Sequence, residues 1–94
     1  MTRGPRVLFD PAKDVANREK HGVSLNLAGR IIEAATATFL DRRFDYGFDY
    51  GEDRFVSFGY VEGRLHVAVW TERDGAVRAI SVRKANQKEQ ERYG

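Results

Sequence analysis

The chain has no cysteine. Disulfides and thiolate metal sites are therefore excluded, and a reducing cytoplasm is the expected compartment. Histidine is nearly as scarce: His21 and His66 are the two present, without the paired spacing of a metal-binding helix, so no metal centre is expected. No G-x-S-x-G elbow, Walker loop or G-x-G-x-x-G turn occurs, which removes support for triad hydrolases and for nucleotide or dinucleotide binders. No cofactor is expected. No apolar run is long enough to cross a bilayer, and the opening "MTRGPRVLFDPAKD" lacks the apolar core of a secretion signal, so neither a membrane nor a targeting address is expected. A dominant charge sign is missing too. The 16 basic and 14 acidic residues leave a formal charge of +2, too small a surplus to announce a nucleic-acid binder by itself.

What is present suits a soluble globular domain. Ninety-four residues, 41% of them hydrophobic and 32% charged, fit one domain over residues 1–94 with a single modest core. Asp41, Asp45, Asp49, Glu52 and Asp53 gather mid-chain, whereas Arg64, Arg73, Arg78, Arg83, Lys84, Lys88 and Arg92 crowd the last third.

"RVLF" reads as a short edge strand, followed by Asp10 as N-cap and Pro11 at the first helical position. That helix has a thin apolar stripe of Ala12, Val15 and Ala16 and stops at His21, before Gly22. Ser24 caps a second helix whose Leu27, Ala28, Ile31, Ile32 and Ala35 recur at helical spacing. "TATFLD" then reads as a strand and "RRFDYGFDYGED" as a long, mobile loop. "RFVSFGYV", "RLHVAVWTER" and "AVRAISVR" form an antiparallel meander through the Glu62-Gly63 and Asp74-Gly75 turns. Asn86 with Glu89 three places on forms a capping box for a last helix ending near Tyr93. The expected class is α+β in the order β-α-α-β-β-β-β-α, an antiparallel sheet packed on helices.

Alternation sorts the meander into two faces. Val56, Phe58, Tyr60, Leu65, Val67, Val69, Ile80 and Val82 make an apolar face, which the Ile31/Ile32 helix should cover. Phe55, Ser57, Gly59, Arg64, His66, Trp70, Ser81 and Arg83 fall opposite, where arginines among rings and small residues would let RNA approach by ion pairing and stacking. Metal-free RNA cleavage needs a base, an acid and cations around the phosphate. His21, Lys20 and Glu52 are the candidates for proton transfer, and Arg54, Arg64, Arg73, Arg78 and Arg83 for charge stabilisation. Lys20 and His21 also suit the negative end of a helix, so helix ending and chemistry both stay open at that point.

"NREKHGVS" before an amphipathic helix, "GEDRF" opening a strand, "GYVEGRLHVAVWTER" as a hairpin and "ISVRKANQKEQERY" at the end together resemble the BrnT family of toxins, from about Phe9 to Tyr93. Leu25 replaces an aromatic and Phe9 a tryptophan of that pattern, both conservative changes, and Trp70 stands at a position that varies among relatives. The resemblance implies a RelE-like fold and a type II toxin-antitoxin ribonuclease that cleaves RNA endonucleolytically without metal and arrests growth. It implies a BrnA-type antitoxin with a ribbon-helix-helix domain, a two-toxin, two-antitoxin complex, and operator DNA contacted through the antitoxin alone. On that resemblance Lys20, His21, Glu52, Arg54 and Arg83 are catalytic, and Arg64, His66 and Arg73 bind the substrate. The alternative is a non-catalytic module that holds RNA or antitoxin and contributes to autorepression.

Overall fold

The computed structural model describes residues 6–41 and 54–94, apart from the Arg73 side chain. The loop expected over 42–53, Glu52 included, lies outside the described residues. Strand β1 (Val7–Leu8) leads into helix α1 (Pro11–His21), a 3-10 turn (Leu25–Leu27) and helix α2 (Ala28–Glu33). Strands β2 (Ala35–Asp41), β3 (Arg54–Val61), β4 (Arg64–Arg73) and β5 (Ala76–Lys84) follow, then helix α3 (Gln87–Tyr93).

The local signals act as their chemistry requires. Asp10 accepts a hydrogen bond from the Ala12 amide, and Gly22 closes α1 in a left-handed conformation, φ 74°. Glu62-Gly63 and Asp74-Gly75 all have positive φ, the twist that lets a two-residue turn join antiparallel strands.

The five strands form one sheet in the order β1-β5-β4-β3-β2. It is mixed rather than purely antiparallel, because β1 runs parallel to β5. An apolar tetrapeptide marks an edge strand but carries no information about its direction.

The coverage of the two faces is the reverse of what alternation suggests. Helices α1 and α2 and the 3-10 turn lie over the side that carries Ser57, Gly59, His66, Ala68 and Trp70. Small side chains allow this. A Cβ on Gly59 would sit 2.3 Å from the Ile31 carbonyl oxygen, so the α2 backbone rests directly on the strand. Leu25, Ala28 and Ile31 complete that core with Val61, Ala68, Ala79 and Val82. The bulkier Phe58, Leu65 and Val67 occupy the other face, covered by Ala85 and Tyr93.

One irregularity decides where β5 points. An unbroken register from the Asp74-Gly75 turn would set Val82 opposite Val67. Instead Trp70 pairs with Ala79 and Val69 with Ser81, leaving Ile80 as the extra residue of a β-bulge. Beyond it the phase is inverted: Val82 joins Ala68 under the helices, and Arg83 pairs with Val67 on the other side.

Helix α1 docks by polar contacts rather than by its apolar stripe. Val15 is 56% exposed while Asp14 and Asn17 are buried. The Asn17 amide donates to the Val23 and Val82 carbonyls, both at 2.8 Å, and accepts from the Val82 amide at 3.2 Å. It thus completes the outer edge of β5 beyond the end of β1.

Candidate RNA-facing groove

On the face opposite α1 and α2, a groove of about 540 Å³ runs between β2 and α3. Val56, Val67 and Val69 form its floor, Phe39, Phe58 and Tyr93 supply rings, and Arg54, Arg83, Lys88 and Arg92 supply positive charge. Phe58 and Tyr93 stack with centroids 4.2 Å apart.

Arg83 enters this groove through the bulge at Ile80 and is held there by Glu89. Its Nη1 and Nη2 donate to the two Glu89 carboxylate oxygens at 2.7 and 2.8 Å. The same carboxylate accepts from the Asn86 amide at 2.9 Å, so one side chain caps α3 and orients the guanidinium. Hydrogen bonding from Arg83 holds Glu89 below the usual carboxylate range against the opposing effect of burial, and the pairing raises Arg83 in turn.

His21 ends α1, fixed by the neighbouring Gly22 cap and by the anchorage of Asn17 to β5. Burial, then the charges of Lys20 and Arg83, push its imidazole below the ordinary histidine value. His21 and Arg83, 62 positions apart in the chain, are thus within electrostatic reach of each other, and Lys20 is exposed next to His21, although neither Lys20 nor His21 lines the groove. At neutral pH the imidazole is uncharged and able to accept a proton.

The remaining expected residues fall elsewhere. His66 is 5% exposed, beneath the helices, and its Nδ1 donates to the Arg64 carbonyl at 2.7 Å, so it does not face the groove. The Arg64 side chain reaches the Ala85 carbonyl at 3.2 Å, before α3. Arg73 closes β4 at the far end of that strand, and its side chain lies outside the described part. Trp70 also turns to the helix side, stacking on Phe55 and donating to Ser57 Oγ at 2.9 Å. Conversely, Phe39 and two members of the basic C-terminal third, Lys88 and Arg92, line the groove although the sequence assigned them no role there. The four-residue spacing of Lys88 and Arg92 on a helix carried the signal for two of them.

The ionisable groups make the fold acid-sensitive. Asp14 is held low chiefly by the Leu25 amide, helped by the Ser24 hydroxyl and Arg18 and opposed by burial. Asp14, Glu89 and His21 all bind protons less readily folded than unfolded. The unfolded chain takes up protons first as pH falls, and stability is lost. The loss begins below the ordinary histidine value of 6.5 and deepens below 4.5, the ordinary glutamate value. Urea midpoints at about pH 7, 5.5 and 4 should fall in that order; a flat or rising series would contradict it.

A cationic groove lined with aromatic rings on an α+β framework is the kind of surface that meets a polyanion bearing planar groups. Comparison supplies the family: residues 9–89 match the model for the ribonuclease toxin BrnT of type II toxin-antitoxin systems. The chain belongs to the BrnT family, and with it to the ribonuclease toxins that act with an antitoxin partner. No curated protein and no solved structure matches it. Among the described residues no helix is long and apolar enough to cross a membrane.

Proposed function

We propose that the protein is a metal-independent endoribonuclease whose reaction centre combines Lys20 and His21, at the end of α1, with Arg83 of the groove. In this reaction the 2'-oxygen of RNA bonds to the adjacent phosphorus and the bond from phosphorus to the 5'-oxygen breaks. The products are a 2',3'-cyclic phosphate and a 5'-hydroxyl. His21, neutral at pH 7, takes the 2'-hydroxyl proton, and Lys20 returns a proton to the leaving oxygen. Arg83 and Arg54 stabilise the charge that grows on the phosphorane. Glu52 is the alternative base, and Arg64 and Arg73 would hold more distant phosphates. His66, being covered, has no part.

The observation that carries this reading is the groove in which Arg54, Arg83, Lys88 and Arg92 stand among aromatic rings, on a chain of the BrnT family. Purified protein is expected to cut RNA in EDTA, with a rate that rises with pH through a midpoint below 6.5. Replacing His21 by alanine should abolish that limb. RNA left intact both with and without EDTA would select the non-catalytic binding module, a reading favoured by the engagement of Arg83 with Glu89.

The remaining family expectations belong to the same proposal. They are a single toxin domain of RelE-like fold acting in the cytoplasm, arresting growth and neutralised by a BrnA-type ribbon-helix-helix antitoxin. The complex would contain two copies of each protein and would contact operator DNA through the antitoxin.

A further inference from the structure

We infer that the groove accepts an unpaired nucleotide whose base stacks on Phe39, so that the substrate is single-stranded RNA. This rests on RNA being the ligand of the groove.

The three rings are not equivalent. Phe58 and Tyr93 lie nearly parallel, 24° apart, and close a face of each ring against the other. Phe39 meets Phe58 edge-on, at 73° and 6.2 Å, and meets Tyr93 tilted, at 59° and 5.3 Å. Neither ring lies flat on it, and Phe39 is 45% exposed on β2, the strand at the end of the sheet. An exposed phenyl ring would ordinarily be a solubility liability; in a groove beside charges it is a platform for another planar group.

The charges identify that group. Arg54, Arg83, Lys88 and Arg92 share the groove with two carboxylates, Asp41 and Glu89, and Glu89 is bound to Arg83. Among the described residues, four cations against two carboxylates suit a phosphate chain, and a ring among them suits the bases attached to it. In a duplex the base faces are stacked within the helix and present edges only, so a protein ring can stack only on a base that has left the stack.

The test is binding of a fluorescently labelled 2'-O-methyl RNA, which lacks the attacking hydroxyl, measured by anisotropy as a single strand and as the same strand in a duplex. The single strand should bind at least tenfold more tightly. Phe39→Ala should weaken single-strand binding roughly 5- to 100-fold without changing its salt slope, because stacking and not ion pairing is removed. Phe39→Trp should retain affinity, and Phe39→Leu, apolar but not planar, should lose it. Thermal melts establish that each variant is folded, and if Phe39→Ala is not, the Trp and Leu variants decide. Equal affinity for strand and duplex, or wild-type affinity in Phe39→Leu, would overturn the inference. So would the absence of oligonucleotide binding, which would leave the groove to an antitoxin segment. Selective, Phe39-dependent binding of RNA that is never cut would reject the nuclease reading and sustain this one. Cleavage with binding indifferent to Phe39 would do the opposite.

Discussion

Arg83→Ala is expected to slow RNA cleavage by about 10²- to 10³-fold, the usual effect of removing one donor aimed at developing charge. Among the described residues the acceptors for Arg83 are Glu89 and the Lys84 carbonyl, and both take Nη hydrogens. The Nε–H edge, with the second Nη2 hydrogen beside it, remains directed away from Glu89 and can meet a phosphate as a fork. Lysine would keep the charge and lose the fork, so Arg83→Lys should recover only part of the rate. The ion pair is partly exposed, 35% for Arg83 and 18% for Glu89, so its loss should lower stability by about 1 kcal/mol. Single-turnover rates beside thermal melts separate the two effects. An unchanged rate in a folded Arg83→Ala protein would remove this residue from the reaction.

The largest effect on folding should come from Asn17→Ala. The substitution deletes one small amide, yet it strands the Val82 amide and carbonyl on the buried edge of β5 and the Val23 carbonyl beyond α1. Each unsatisfied buried group costs about 1–3 kcal/mol, so the loss is about 3 kcal/mol or more from a domain whose whole stability is about 5–15 kcal/mol. For a chain of this size the melting temperature would drop by about 15 °C. Asn17→Asp should fare no better, because a carboxylate would face two carbonyl oxygens. A melting temperature within a few degrees of wild type would show that water or a neighbouring group replaces the amide.

Element order and most boundaries were legible because their signals are local: Asp10-Pro11, Gly22, two turns with positive φ, and the Asn86/Glu89 capping box. The second helix was not: Ser24 caps a 3-10 turn (Leu25–Leu27), α2 spans Ala28–Glu33 alone, and Ala35 belongs to β2. Which face of the sheet the helices cover was not legible either. Large apolar residues suggest the covered side, but close packing of α2 requires small ones, and Gly59 and Ala68 provide it. His66, beside Gly59, lies beneath the helices for that reason. Arg83 reached the groove through two departures that offset each other: the covered face is exchanged, and the bulge at Ile80 reverses β5. No residue near Ile80 announces a bulge. Asn17 was legible as part of a family motif, but its bonds to Val82 join positions 65 apart, a pairing that no local pattern encodes.

The extra residue at Ile80 makes β5 one residue longer than its pairing with β4 requires. Full-length pairing without the bulge would set Val82 opposite Val67 and turn the Arg83 guanidinium in beneath the helices, whereas deleting Ile80 would let the hairpin zip without interruption and still set Val82 opposite Ala68 and Arg83 opposite Val67. The aim of the guanidinium is thus fixed by its partner on β4 and not by strand length, and the site should survive the loss of Ile80.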